Sequence, residues 1–313
     1  MRVLFLGSGA FGLPTLAALS QTHELVGMVS QPDRPAGRGR ELAPTPIADF
    51  ALKNLASLPL FRHESVNSPE VIAALHALKA DVWVVIAFGQ KLTESLLSGV
   101  RAVNLHASLL PRHRGAAPIN AAILAGDQTT GNSVITLAQR MDAGLVLAQS
   151  QRAIEPTHTT GELHDLLAAD GPALVLGVLA RFAAESPESF GRPQDETLVT
   201  KARKLSKDDG VMDWALPAAA CRARINGLSP WPSVSLRVPS FADPLKVLRA
   251  GPVEPLSSAA PGTLIDRGRG HVACGDGRAI ALLDVQPAGK KPMAWGAFLT
   301  GAGRALTDGL MLV

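Results

Sequence analysis

Cysteine is scarce in this chain, and its scarcity argues against two classes of protein. The 313 residues include 2 cysteines, Cys221 and Cys274, far apart in the sequence. They form no C-x-x-C motif and predict neither a disulfide framework nor a zinc cluster. We interpret both as small buried hydrophobic residues. The 8 histidines show no metal-ligand spacing either, so we predict no metal.

The N-terminal region has no long hydrophobic run. Its apolar residues 3–6 are broken by Gly7, too early for a signal peptide or a membrane span. Charged residues make up 18% and hydrophobic residues 47% of the chain, which is typical of a soluble globular protein. We therefore expect a cytoplasmic protein without a membrane partner, long enough for two domains.

The basic residues are distributed unevenly. From residue 190 onward, 16 Lys and Arg stand against 11 Asp and Glu, whereas residues 1–189 hold 14 against 16. A basic C-terminal part beside a slightly acidic N-terminal part indicates a polyanionic partner.

Hydrophobic patterning in the N-terminal part alternates between strands and helices. Residues 2–6, 23–29 and 81–88 are predicted strands, the last with a continuous β-branched run, and helices are predicted between them. A hairpin-like pair at 133–137 and 145–153 and a long helix at 159–185 follow. The pattern predicts a doubly wound, Rossmann-like, mostly parallel sheet that binds ligands at the carboxyl ends of its strands.

The composition changes after residue 186, where a basic string without a sustained apolar period predicts a linker. Five short strand-like runs follow, separated by Gly and Pro, and they predict a small β-barrel of OB-like or SH3-like type. The predicted organisation is a catalytic domain at 1–189, a basic linker at 190–208 and a C-terminal domain at 209–313.

The stretch at residues 102–119 holds the strongest candidate site. Asn104 and His106 lie two positions apart at the end of an apolar run, so in a strand both point to the same side. A small hydroxyl at Ser108 and a proline at Pro111 end the strand abruptly and present backbone groups to a ligand. A polar pair at a strand end is typical of an active site, but a core histidine beside a turn-closing asparagine fits the same pattern.

This stretch resembles the methionyl-tRNA formyltransferase family. The likeness lies in Asn104-Leu105-His106, in the Ser-Leu-Leu-Pro-Arg run at 108–112, in the Gly-Ala-Ala-Pro-Ile run at 115–119, and in a later acidic loop around Asp142. It implies a formyl transfer from 10-formyltetrahydrofolate to initiator methionyl-tRNA, with an OB-like C-terminal domain and a monomeric enzyme.

The resemblance also implies roles for particular residues. Asn104 and His106 would stabilise the tetrahedral intermediate, while Asp142 would orient the imidazole, raise its proton affinity and assist proton transfer. The predicted folate contacts are Phe88, Gly89, Gln90, Ser108, Leu109, Leu110 and Pro111.

Two basic segments are predicted to contact tRNA. Residues 31–40 form a Pro- and Gly-rich stretch whose arginines can bind phosphates, and it resembles the family's insertion loop, with Arg38 at the key position. The predicted tRNA contacts are Arg34, Arg38, Arg40, Lys201, Lys204 and Lys207.

Three other functions fit parts of the sequence. Gly7, Gly9 and Gly12 form a G-x-G-x-x-G pattern between a strand and a helix, as in an NAD(P)-dependent oxidoreductase, although no acidic residue closes the second strand. A formyl transferase acting on a sugar amine or a glycinamide nucleotide would share the catalytic residues. A nucleic-acid-binding protein without catalysis would explain the basic segments alone.

Overall fold

A computed structural model describes residues 1–36, 41–239, 241–255 and 258–313. The chain divides into two compact units, and each is discontinuous. The first unit contains Met1–Gly115, Gly131–Arg152 and His164–Thr200; the second contains Ala116–Thr130, Ala153–Leu163 and Lys201–Val313. The predicted division at residues 189 and 209 thus falls on either side of the structural boundary after Thr200, and as a functional division it stays a prediction.

The strands are β1 (Arg2–Gly7), β2 (Glu24–Val29), β3 (Arg34–Ala36), β4 (Glu41–Ala43), β5 (Leu60–Phe61), β6 (Val82–Ile86), β7 (Ala102–His106), β8 (Arg114–Gly115), β9 (Thr129–Thr136), β10 (Val146–Ala153), β11 (Lys201–Ala202), β12 (Val234–Leu236), β13 (Leu245–Pro255), β14 (Leu264–Asp266), β15 (His271–Ala273), β16 (Arg278–Gln286) and β17 (Met293–Ala294). The helices are α1 (Leu13–Thr22), α2 (Pro46–Asn54), α3 (Pro69–Ala77), α4 (Glu94–Leu97), α5 (Pro118–Leu124), α6 (Thr160–Arg181), α7 (Pro187–Phe190), α8 (Ala218–Gly227) and α9 (Trp295–Thr300).

The first unit is organised around a mostly parallel sheet, as predicted. Within the described residues the strand order is β10-β9-β7-β6-β1-β2-β5. β1 pairs in parallel with β2 and β6, β6 pairs in parallel with β7, and β7 pairs antiparallel with β9. All residues of β6 are buried, as expected for a central strand of a sheet covered on both faces. The carboxyl ends of β1, β6 and β7 therefore lie at one edge of the sheet.

Helix α6 is the longest helix in the described part of the chain. By length and composition alone it could cross a membrane, a property that core helices of globular proteins share. Its side chains Leu167, Val175 and Leu179 are buried, and Asp170 accepts two hydrogen bonds from Arg152, at 2.7 and 2.8 Å. From residue 164 onward we therefore interpret α6 as a core helix of the first unit.

The second unit contains the predicted antiparallel β domain. Its sheet has the order β12-β13-β16-β15-β14, with β17 paired to β16, and each of the five predicted strands is present. The buried side chains of α8, among them Cys221 and Ile225, belong to the same core cluster as Val247 and Leu282 of the sheet. Cys221 and Cys274 are buried thiols, as predicted.

Three local predictions need correction. The pattern of residues 214–228 predicts one helix, but the helix begins only at Ala218, because Pro217 fits the helix start and cannot continue a helix from before it. The stretch 31–40 is not entirely loop, since β3 and β4 pair antiparallel, with Arg34 opposite Ala43. The predicted linker at 190–208 is not without structure: it includes a short 3₁₀ turn at Glu196–Leu198 and the strand β11.

Candidate active site

Strand β7 places the two central site residues on one face of the sheet. Asn104 lies beside Val85 of β6 and opposite Ile135 of β9, and His106 lies opposite Ser133. His106 is 6% exposed, whereas Asn104 is half-buried. The sequence prediction that both residues face one site agrees with this placement, because side chains two positions apart on a strand share a face.

Both ring nitrogens of His106 face an oxygen atom. The Nε2 atom lies 3.0 Å from the backbone carbonyl oxygen of His113, and Nδ1 lies 3.6 Å from Oδ2 of Asp142. A carbonyl oxygen can only accept, so Nε2 must carry a proton and donate it. The nitrogen that gains or loses a proton is therefore Nδ1, on the side of the Asp142 carboxylate.

The pKa of His106 is lowered below its ordinary value of 6.5, chiefly because burial penalises the charged ring. The Asp142 carboxylate and the His113 carbonyl act in the opposite direction and raise this pKa, as opposite charge and an accepting oxygen do. We expected Asp142 to raise the proton affinity of His106. The carboxylate has that effect, but burial outweighs it.

Asp142 lies in the loop between β9 and β10 with a backbone φ of +55°, a left-handed conformation that costs energy for a residue with a side chain. Its Oδ2 atom accepts a hydrogen bond from the backbone N–H of Gly115 at 2.9 Å. A Cβ at Gly144 would lie 1.7 Å from the carbonyl oxygen of Thr136, so only glycine allows the loop to approach β9 this closely. The loop thus brings Asp142 to His106, as predicted.

The predicted folate segment 108–111 is held by its own hydrogen bonds. Ser108 Oγ donates to the carbonyl of Arg112 at 2.7 Å. Ser133 Oγ donates to the carbonyl of Ser108 at 2.6 Å and accepts from the N–H of Leu110 at 3.1 Å. Gln149 donates to the Leu110 carbonyl at 3.0 Å. The segment has a fixed backbone, and Leu109 and Pro111 remain half-buried.

The second predicted folate segment, residues 88–90, follows β6. The carbonyl of Phe88 accepts hydrogen bonds from Ser8 Oγ and Gln31 Nε2, at 3.0 and 2.9 Å. The Gln90 amide accepts from the N–H of Val66 and donates to the carbonyl of His63, both at 3.0 Å. Phe88 is buried. The Gln90 amide and the Phe88 carbonyl thus have protein partners, and Gly89 contributes backbone to the turn.

The glycines of the G-x-G-x-x-G pattern are explained by packing. A Cβ at Gly7 would lie 2.6 Å from the Phe5 ring and 2.9 Å from the Ile86 carbonyl oxygen, and a Cβ at Gly12 would lie 3.1 Å from the Phe5 ring. At Gly9 the nearest atom is the Cβ of Ala87, at 3.2 Å. The turn after β1 therefore needs glycine in order to approach β6, whether or not it binds a dinucleotide.

The predicted tRNA-contacting residues have different surroundings. Arg34 forms an ion pair with Glu64 at 2.8 Å. Arg38 and Arg40 lie outside the described residues. The lysines Lys201, Lys204 and Lys207 are exposed.

Sequence reasoning missed several residues that support this site. Ser133 and Gln149 hold the 108–111 segment, and Gln194 and Thr200 contact its neighbours from a segment predicted to be a linker. In the sequence, the polar residue Ser133 at the start of the strand predicted at 133–137 indicates such a role, whereas the other residues carry no comparable signal. Among the described residues no group of three or more His, Cys, Asp or Glu side chains is arranged to hold a metal ion.

Comparison with known proteins identifies the class to which this protein belongs. A family model described as formyl transferase matches residues 1–179, and one described as formyl transferase, C-terminal domain, matches residues 204–303. The solved structure of HypX from Aquifex aeolicus in complex with tetrahydrofolic acid covers 98% of this chain and 48% of its own length, with a TM-score of 0.64 and 15% identity. That identity shows the fold alone. The chain is thus a formyl transferase by fold and by sequence.

Relatives with higher identity narrow this class. The chain is 40% identical over 308 residues to the methionyl-tRNA formyltransferase of Chloroflexus aurantiacus, covering 96% of this chain and 97% of that protein. It is 42% identical over 310 residues to the enzyme of the same name from Symbiobacterium thermophilum, covering 97% and 93%. The chain belongs to the methionyl-tRNA formyltransferase family. This membership identifies an enzyme of folate-dependent formyl transfer in translation initiation and excludes the oxidoreductase and the non-catalytic alternatives.

Proposed function

We propose that this enzyme transfers the formyl group of 10-formyltetrahydrofolate to the α-amino group of methionine on initiator tRNA, and that Asn104, His106 and Asp142 carry out the transfer. The observation that supports these roles is the arrangement of His106, whose Nε2 is fixed by a carbonyl and whose Nδ1 faces the Asp142 carboxylate. All three residues lie in the first unit.

Asn104 and His106 act on the oxygen of the formyl group. As the amine nitrogen attacks the formyl carbon, negative charge develops on that oxygen, and the Asn104 amide donates a hydrogen bond that does not titrate. A donor of this kind typically contributes about 10²–10³ in rate. The segments at 108–111 and 88–90 position the folate by backbone and apolar contacts.

Asp142 and His106 handle the proton. The amine loses a proton when the new C–N bond forms, and Asp142 accepts it directly or through water and shares it with Nδ1 of His106. The lowered pKa keeps His106 largely neutral before the reaction, so its positive charge develops together with the negative charge on the formyl oxygen. Because these opposite charges attract each other in the transition state and not in the ground state, they lower the activation barrier of formyl transfer. When the intermediate collapses, the bond between the formyl carbon and N10 of the folate breaks, and that nitrogen takes up a proton.

The basic residues Lys201, Lys204 and Lys207 would bind tRNA phosphates in this proposal, and Arg34, Arg38 and Arg40 would bind the acceptor stem. Phosphate contacts of this type carry little base information but supply affinity that depends on salt. We also infer a monomer located in the cytoplasm, which gel filtration and cell fractionation would test.

The test uses the purified enzyme with methionine-charged initiator tRNA, methionine-charged elongator tRNA and the folate donor. Formylmethionine on initiator tRNA alone is the expected product. Equal formylation of both tRNAs would contradict the initiator selectivity, and formylation of a nucleotide-linked amino sugar instead would contradict the proposed acceptor.

Replacing Lys201, Lys204 and Lys207 by alanine should reduce the slope of log affinity for tRNA against log salt concentration by about 1 per lost phosphate contact. Lys53→Ala, on α2 and paired with Asp49, is the control.

A further inference from the structure

We propose that residues 191–200, which we call the strap, position both groups that face the imidazole of His106. The inference rests on the proposed role of His106 and extends it to residues that touch no substrate. The strap belongs entirely to the first unit. It lies within the segment predicted from sequence to be a basic linker.

Gln194 in the strap holds the loop that carries Asp142. Its Nε2 atom donates hydrogen bonds to the carbonyl oxygens of Asp142 at 2.7 Å and of Gly144 at 2.8 Å. These two bonds bracket the residue whose carboxylate faces His106. Because Asp142 has a strained left-handed backbone, its conformation must be maintained by its surroundings.

The Gln194 side chain is itself fixed by Arg114. The guanidinium of Arg114 donates from Nε to Gln194 Oε1 at 2.9 Å and from Nη2 to Glu196 Oε1 at 3.0 Å. Arg140, on the Asp142 loop, donates to the same Glu196 oxygen at 2.8 Å. The acceptor oxygen of Gln194 is thus committed to Arg114, which leaves its N–H donors directed at the loop.

The other end of the strap holds His113, whose carbonyl oxygen accepts from His106. The N–H of His113 donates to Thr200 Oγ1 at 2.8 Å, and the N–H of Arg114 donates to the Thr200 carbonyl at 2.9 Å. His113 has a φ of +60°, again a strained conformation. Thr200 therefore orients the peptide that fixes Nε2 of His106.

Main-chain bonds anchor the start of the strap beside the same hairpin. Arg192 and Val146 exchange N–H to carbonyl hydrogen bonds at 2.8 and 2.9 Å. A Cβ at Gly191 would lie 2.7 Å from the Pro187 carbonyl oxygen, so the chain passes this point in close contact. The strap is therefore attached at its start and end, and Gln194 and Thr200 act through Asp142 and His113.

The test compares Gln194→Met and Thr200→Val with matched controls. Gln151→Met changes an exposed glutamine on β10, and Thr197→Val removes a hydroxyl that donates to Asp195, within the strap, at 2.7 Å. We expect kcat to fall about 10–100-fold in Gln194→Met, with each KM changed less than about threefold, because misplacement by about 1 Å costs rate more than binding. Thr200→Ser, which keeps the hydroxyl, should restore most of the activity that Thr200→Val loses.

A second readout does not depend on turnover. Two titratable side chains act on the pKa of His106: the Asp142 carboxylate raises it, and the His113 ring lowers it. If Gln194 positions Asp142, Gln194→Met should lower the pKa of His106 further, as followed by NMR of histidine-labelled protein.

Unchanged kcat and an unchanged His106 titration in a folded Gln194→Met variant would overturn the inference. So would a loss of activity that tracks only the loss of melting temperature in both variants. Failure of His106→Ala to affect turnover would instead contradict the proposed function, while the NMR titration would still test the strap.

Discussion

The turn after β1 and the carboxyl end of β7 invite comparison, because both look like ligand sites in the sequence. They lie at the same edge of one sheet, separated by β6. At the β1 turn, the space around Gly7 and Gly12 is filled by Phe5 and Ile86. At β7, an imidazole meets a carboxylate and a carbonyl oxygen within 3.6 Å. The difference teaches that a glycine pattern can arise from close packing as readily as from ligand binding. Titratable and polar groups that converge in a buried site are a stronger indication of function, because burying them costs free energy.

The largest effect in this comparison is expected at β7. His106→Ala should lower kcat by about 10²–10⁴-fold, since the variant loses both a proton acceptor and the positive charge that develops together with the charge on the formyl oxygen. Affinity for tRNA should change little, because His106 is buried and contacts no proposed phosphate site. Steady-state kinetics and filter binding measure the two quantities.

His23→Ala is a matched control for that experiment. His23 precedes β2 and so lies at the opposite edge of the sheet from the site. Normal turnover by His106→Ala would refute the assignment, and an equal loss in both variants would show that the effect is not specific to the β7 site.

The β1 turn should respond in stability and not in chemistry. Gly7→Ala places a methyl group against the Phe5 ring and the Ile86 carbonyl, and overpacking of this kind costs about 1–3 kcal/mol of unfolding free energy. Urea unfolding measures this cost. The kcat of the fraction that remains folded should be close to normal.

Gly177→Ala on α6 is the control for this variant. Outside the backbone of the helix itself, no atom of the described residues lies within 4 Å of a Cβ placed there, and replacing a helical glycine by alanine stabilises by about 0.5–1 kcal/mol. A Gly7→Ala variant that stayed fully stable yet lost turnover would make the β1 turn part of the active site and remove the contrast between the two regions.

The smallest effect concerns the titration of His106. Because burial lowers its pKa, the NMR midpoint of His106 in the wild-type protein should lie below 6.5. Asp142→Asn removes an attractive charge and should move that midpoint lower still. The pKa of His106 is lower in the folded protein than in the unfolded chain, so the unfolded chain takes up the proton first as the pH falls below 6.5. The free energy of unfolding that depends on neutral His106 is therefore lost as the pH falls from 6.5 through the folded-state pKa. A titration midpoint of His106 above that of a surface histidine would contradict the conclusion that burial lowers the pKa of His106 more than Asp142 raises it.

Much of the fold followed from local patterns. The β-branched run of Val82–Ile86 predicted a buried central strand, and the regular Gly and Pro breaks predicted the short antiparallel strands of the second unit. Helix α8 shows the limit of this reasoning, since the helical pattern predicted from residue 214 begins before the point at which Pro217 allows a helix to start. The pairing of β3 with β4 also had no clear periodic signal in three-residue strands.

The sequence by itself determined that Asn104 and His106 face one side, because the side-chain period of a strand is two. It also indicated Asp142 through resemblance. Only the tertiary structure decided that Gln194 and Thr200 hold the partners of His106, because contacts between residues so distant along the chain leave no trace in local periodicity. The structure alone also decided the direction of the His106 pKa, since the loss of hydration on burial depends on every atom packed around the ring.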